Sequence, residues 1–152
     1  MQMTALRKTP VANMVDLMGG GTVIPQPVHN ELDLLAVAIK GLPVRALRAL
    51  QQHLRFTNKE ISAVLDISES TLARREQAKS PLTRDEGEKT IQLSGVLLKG
   101  LEVFENEDDF NHWLSTPNVA LGNIRPKSLL SSAIGRDQVL AVLFRIEYGM
   151  YS

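Results

Sequence analysis

The stretch Thr57-Asn58-Lys59-Glu60-Ile61-Ser62-Ala63-Val64-Leu65-Asp66-Ile67-Ser68-Glu69-Ser70-Thr71-Leu72 decides the fold of this chain. Thr57 followed three residues later by Glu60 is a capping box: the hydroxyl accepts from the Glu60 N–H and the carboxylate reaches back to the Thr57 N–H. Phe56 and Ile61 flank it as a hydrophobic staple. Ile61, Val64 and Leu65 give a short helix one buried stripe. Asp66 tolerates the left-handed backbone that a tight turn needs. Ser68 then caps a second short helix, with Glu69 favoured in its first turn by the dipole and Leu72 as its inward anchor. With small Ser62 where the helices cross, residues 58–77 read as a helix-turn-helix, a geometry that frees the N-terminal face of the second helix.

Working upstream, Pro43 suits the first turn of a helix carrying Val44, Leu47, Leu50 and Leu54 inward, leaving Arg45, Arg48 and Arg55 for the surface. Before it, Asn30 caps a helix whose stripe is Leu32, Leu35, Ala36 and Ile39, closed by Gly41. Residues 1–27 contain Gly19-Gly20-Gly21, Pro25 and Pro27 and read as a flexible lead-in with at most a helical turn over 11–18.

Downstream, Pro81 ends the motif and Thr83-Arg84-Asp85-Glu86 forms a second capping box. It opens a long helical pattern through Ile91, Leu93, Leu97, Leu98, Leu101 and Phe104. Gly95 and Gly100 inside this helix each cost about 1 kcal/mol against alanine and point to close approach of another helix. Asn106 restarts the chain, and Phe110, Trp113 and Leu114 form one face, read as core. Pro126 begins a short helix that Gly135 is expected to break, and a last helix buries Val139, Leu143 and Ile146 and ends at Gly149. Strand-like alternation is absent. The expected fold is all-α, with a flexible segment over 1–27, a Cro/repressor-like helix-turn-helix domain over 28–83 and a small helical domain over 84–152.

Composition narrows the function. At 43% apolar and 22% charged residues over 152 positions, the chain has the make-up of a globular protein. No apolar run approaches the roughly 18 residues of a membrane span, and the N-terminus lacks the pattern of a signal peptide, so a cytoplasmic location away from membranes is expected. The absence of cysteine excludes disulfides, thiolate metal sites and cysteine nucleophiles. His29, His53 and His112 lack metal-ligand spacing, the glycine run lacks the Lys-Ser/Thr of a phosphate loop, and no local motif suggests a catalytic triad. Neither an enzyme nor a cofactor or metal is expected. Charge is uneven: residues 44–84 hold eight Lys/Arg against four Asp/Glu, and residues 85–118 two against eight. A basic segment beside an acidic one fits two surfaces for two kinds of partner, or simply two solvated faces.

A freed second helix can enter the major groove of double-stranded DNA with its first residues at base edges. The outward candidates are Ser68, Glu69, Ser70, Ala73, Arg74 and Gln77, where Arg74 suits guanine, Gln77 adenine and Glu69 the cytosine amino group, and Thr71 is a further DNA-binding candidate. Arg75, Lys79 and Arg84, with Arg45, Arg48 and Arg55 nearby, are candidates for phosphates. Two features depart from the usual pattern: the turn has Asp66 instead of glycine, and Arg75 stands where an apolar residue is expected. A plain helical hairpin shares the same spacing.

The C-terminal half narrows the choice. Trp113-Leu114-Ser115-Thr116-Pro117-Asn118, Ala120-Leu121-Gly122, Pro126, Leu129-Leu130, Gly135, Val139, Leu143 and Arg145-Ile146-Glu147-Tyr148-Gly149-Met150-Tyr151-Ser152 follow in an order that resembles the toxin-binding domain of Xre/ParS-type antitoxins. Upstream, Ser70-Thr71-Leu72-Ala73-Arg74-Arg75 with Leu82-Thr83 and Glu86 is similar to the DNA-binding half of the same proteins. The resemblance spans about residues 40–152. It implies a non-catalytic antitoxin of a type II pair, a homodimer that covers a RES-domain toxin acting on NAD⁺ and represses its own operator. Arg145, Glu147, Tyr148, Gly149, Met150, Tyr151 and Ser152 are the expected toxin contacts, with Arg145 and Glu147 on different faces. A stand-alone helix-turn-helix repressor with a ligand-sensing or dimerising C-terminal domain, and a structural adaptor that never touches DNA, are the rival readings.

Overall fold

The longest helix organises the molecule. In the computed structural model, which describes residues 9–149, helix α6 (Arg84–Phe104) follows α1 (Pro10–Leu17), α2 (Glu31–Lys40), α3 (Val44–Leu54), α4 (Asn58–Leu65) and α5 (Glu69–Ala78). It precedes α7 (Glu107–Leu114), α8 (Pro126–Leu129) and α9 (Ala133–Glu147). Among the described residues there is no strand, only an isolated bridge between Asn118 and Ile124, and no helix is long and apolar enough to cross a membrane. The fold is all-α, with the helix-turn-helix followed by a helical C-terminal region.

Helix α6 packs against α1, α2, α3, α4, α7 and α9. One continuous apolar cluster runs from Val11 through Leu50, Ile61 and Leu97 to Leu143. The start of α6 therefore coincides with the expected boundary after residue 83, but the helix serves both halves of the core.

The caps form as the sequence dictates. Thr57 and Thr83 each make a complete capping box, with Glu60 and Glu86. Asn30 accepts from the Asp33 N–H and Asn106 from the Asp109 N–H. Asp66 sits at φ 58° and closes α4. Phe56, Ile61, Val64, Leu65 and Leu72 are all buried, so the helix-turn-helix is held from its inner side.

Three expectations fail, each for a packing reason. The lead-in is not flexible over its described part: Thr9 caps α1, and Met18 and Ile24 are fully buried. Gly19 and Gly20, at φ 109° and 76°, form a left-handed turn that folds this segment back onto the core. The stripe of α2 is rotated. Leu34, Val37 and Ala38 are buried, whereas Leu32 and Ile39 are 74% and 57% exposed. The helix is apolar on two sides, and the inward side is the one carrying Ala38, which lies where a Cβ on Gly87 would come within 3.3 Å of it. That small pair lets α2 and α6 approach closely. Finally, Gly135 breaks nothing. It lies in the first turn of α9, where its N–H is bonded by Ser132 Oγ at 2.8 Å.

Two glycines sit at closer contacts still. A Cβ at Gly100 would lie 2.2 Å from the Phe110 ring, and one at Gly135 would lie 1.9 Å from the Leu129 carbonyl oxygen. The first neighbour is a side chain; the second is backbone and cannot turn away. Gly135→Ala is therefore expected to destabilise the protein by about 1–3 kcal/mol or more despite alanine's better helix propensity. Urea unfolding would read it, and an unchanged midpoint would contradict the close approach of α8 and α9.

Candidate functional site

Helix α5 stands at the surface because only Leu72 among its residues is buried. Ser68 accepts from the Thr71 N–H at 3.0 Å and also bonds the Ser70 and Thr71 hydroxyls, which orders the first turn. Ser68, Glu69, Ser70, Arg74, Gln77 and Lys79 are exposed and Thr71 is half-buried. Arg74 donates to Thr71 Oγ1 at 3.2 Å, so its guanidinium lies back along the turn whose N–H groups open the helix. This face has the composition and exposure that base-edge readout requires.

Arg75 is withdrawn from that face. Its guanidinium is ion-paired with Glu86, a carboxylate only 5% exposed. Glu86 accepts at the same oxygen from the Thr83 N–H at 2.9 Å. Burial alone pushes the Glu86 carboxyl up, but the Arg75 hydrogen bond, the Thr83 N–H, the Arg75 charge and the Thr83 hydroxyl more than reverse it, so its pKa lies below the usual range. The Glu86 hydrogen bond raises Arg75 in turn. The odd residue of the motif, an arginine at an apolar position, is thus the inward partner of a buried acid.

The other expected phosphate contacts sort in the same way. Arg48 makes a two-point bond to Glu76 at 2.9 and 3.1 Å and reaches Gln51 and Asn58. Arg55 is bonded to Asp108, and Arg84 to Glu88 at 3.1 Å. Arg45, Arg74 and Lys79 remain as exposed cations of this side with no ion-pair partner among the described residues. Arg45 and Lys79 line one cleft of about 550 Å³ between α3 and the end of α5.

The second candidate site lies at the end of α9. Val139, Val142 and Leu143 anchor the helix, and buried Arg136 ties it to Gln92 at 3.1 Å and to the Leu130 carbonyl at 3.0 Å. Burial pulls the Arg136 guanidinium below its usual value. Beyond this anchor, Phe144 and Tyr148 stack at 6.4 Å and 11° and are 40% and 69% exposed. Lys99 of α6 sits 4.4 Å over the Phe144 ring and bonds both Glu102 and Glu147. Burial lowers the Lys99 ammonium, but these two carboxylates outweigh it and raise its pKa. Glu147 is therefore held by Lys99, while Arg145 is exposed. Arg145 does not pair with the acidic run, whose Glu107 and Asp108 bind His53 and Arg55 instead. Gly149 turns the chain at φ 69°, and Met150, Tyr151 and Ser152 lie outside the described residues. Sequence reading missed Phe144 and Lys99. The four-residue spacing of Phe144 and Tyr148 was a visible signal; Lys99, 45 residues before Phe144, left none.

Comparison with known proteins bears on both surfaces. The family model described as the antitoxin Xre-like helix-turn-helix domain matches residues 33–95. The model described as the antitoxin Xre/MbcA/ParS C-terminal toxin-binding domain matches residues 99–149. Both domains of the Xre/ParS-type antitoxins are thus matched, in order, along this chain. Antitoxin Xre of Photorhabdus laumondii is 28% identical over 83% of this chain and 86% of its own length. Antitoxin Xre of Yersinia enterocolitica is 26% identical over 74% and 76%. A chain in the crystal structure of the M. tuberculosis MbcT–MbcA toxin–antitoxin complex shares the fold, with a TM-score of 0.56 at 23% identity over 72% of this chain and 96% of that one. The two matched segments meet inside α6, between residues 95 and 99, in keeping with a helix that packs against both halves of the core.

The buried pair makes a pH prediction. Glu86 is depressed in the folded state, so its stabilisation is complete above the unfolded carboxylate value of roughly 4.3 and is lost as pH falls through the lower folded value. Glu86→Gln should cost about 1–3 kcal/mol near neutrality, and the gap to the parent should close in acid. A gap that stays constant down to a pH of about 3 would contradict the pairing.

Proposed function

We propose that this antitoxin binds operator double-stranded DNA through α5 and a partner toxin through the end of α9. The observation that carries the reading is the presence of two separately exposed, preorganised surfaces on one helical body, each falling within the matching domain of the family. Ser68, Glu69, Ser70, Thr71, Arg74 and Gln77 are the base-facing set; Lys79, with Arg45, holds phosphate. Arg75, engaged by Glu86, supports the helix from behind and makes no base contact.

Arg145, Tyr148 and Gly149 are the toxin-facing set, extended by Phe144 and oriented by the Lys99–Glu147 pair, with Met150, Tyr151 and Ser152, outside the described residues, as further toxin contacts. Rigid aromatics that present large area at small entropic cost are the residues that dominate protein interfaces. The partner is a RES-domain toxin acting on NAD⁺, and the antitoxin itself is a non-catalytic, cytoplasmic homodimer that closes a regulatory loop on its own operon. This finer assignment rests on the order of residues from Trp113 to Ser152.

Two measurements test the pair of surfaces. Arg74→Ala should weaken operator binding by about 1–3 kcal/mol at the position it reads with no loss of thermal stability, whereas Arg75→Ala should lower stability first. A salt-independent affinity in the parent would remove the DNA surface altogether. Co-expression with the adjacent gene product, scoring growth and cellular NAD⁺, tests the other. Rescue lost on deleting Tyr148–Ser152 supports the arm; rescue that survives moves the contact elsewhere, and a harmless neighbour leaves a stand-alone repressor.

A further inference from the structure

Helix α2 carries an apolar stripe that nothing in the described molecule covers. Leu32 and Ile39 are 74% and 57% exposed, Ala36 is exposed between them, and Leu35 is half-buried. These four residues have the spacing of one helix face, and they lie opposite the side of α2 that enters the core. Large aliphatic side chains so exposed on one short helix mark an interaction surface.

The stripe is symmetric about its midpoint. Reversing the helix about the point between Leu35 and Ala36 exchanges Leu32 with Ile39, Leu35 with Ala36 and Glu31 with Lys40. Glu31 and Lys40, both exposed, flank the stripe at its two ends. Antiparallel pairing with a second copy brings each Glu31 to the end where the other copy's Lys40 lies, and sets the two helix dipoles head to tail. Parallel pairing brings like charges together. Small Ala36 beside the midpoint admits close approach of the two helices. A two-fold interface must be self-complementary in this way, because one patch serves both partners.

We propose that α2 is the homodimer surface of this protein, paired antiparallel with α2 of a second copy. The inference deepens the homodimer of the functional reading by naming its surface, and does not require that the chain bind toxin or DNA. Paired helices of ten residues bury less than the roughly 1,200 Å² of a standard interface, so the dissociation constant is expected in the micromolar range.

The test uses the full chain alone, without toxin or DNA, by sedimentation across a concentration series. The parent should dimerise. Leu32→Asp and Ile39→Asp should each weaken the dimer at least about tenfold while circular dichroism and thermal midpoint stay at parent values, because both side chains are already in solvent. Glu31→Lys or Lys40→Glu alone should weaken it by about two- to fivefold, and the two together should restore it. The absence of cysteine in the parent adds a second readout. Ala36→Cys should cross-link under mild oxidation, and Ala120→Cys, exposed elsewhere, should not. A parent that stays monomeric, or a dimer that survives Leu32→Asp, overturns the proposal. A monomer whose Leu32→Asp variant instead loses hold of the toxin also overturns it and gives the stripe to the toxin. Failure of the dimer leaves the operator and co-expression assays to judge the antitoxin reading separately.

Discussion

The buried Glu86 carboxylate is the constraint on which the arrangement of this molecule depends. A charge taken out of water is tolerated only when its lone pairs are filled. Here they are filled by the Thr83 N–H of its own capping box and by Arg75 from α5. One acid therefore starts α6 and fixes α5 against it. Removing either partner would leave the other as an uncompensated charge, which is costlier than never having placed the pair. The Leu82 N–H bond to the Leu42 carbonyl at 2.8 Å secures the loop before this knot, so α5 emerges from a fixed base.

From that base, α6 transmits order in both directions. Its first half receives α2 and α1, with Gly87 against Ala38 and Gly95 near Met14. Its second half receives α7, with Gly100 facing Phe110, and α9. The aromatic trio Phe104, Phe110 and Trp113, at 5.6–6.2 Å, seals the lower end. His53–Glu107 and Arg55–Asp108 join α3 to α7 across the outside of the same core. The surfaces proposed for DNA and for toxin are thus two exposed edges of one packed body with no linker between them. Rigid elements rather than a tether lie between the two surfaces.

Ion pairing also sorts the basic segment by role. Of the arginines around α5, those with a carboxylate in reach are committed to the fold: Arg48 to Glu76 and Arg75 to Glu86. Those without one among the described residues, Arg45 and Arg74, stay exposed. The sequence contained the count of cations but not this division, since each decisive partner is distant in the chain or on another helix.

What the sequence determined by itself was local. Capping at Thr57, Ser68, Thr83 and Asn106, the left-handed turn at Asp66 and the inward stripe of α3 all depend on neighbours within one helical turn, so they were legible without a fold. The family resemblance was legible too, because spaced residues in both halves kept one order. Tertiary structure decided the rest. Periodicity could not say which of two apolar sides of α2 enters the core, because that depends on how closely Ala38 meets Gly87. Glycines at 19–20 could not be told from a linker until Met18 and Ile24 were seen in the core. Gly135 could not be told from a breaker until the Leu129 carbonyl stood against it. Arg75 could not be told from a phosphate contact until Glu86 was buried beside it. In each case the local pattern admits two arrangements, and a contact from another element, invisible to local periodicity, selects one.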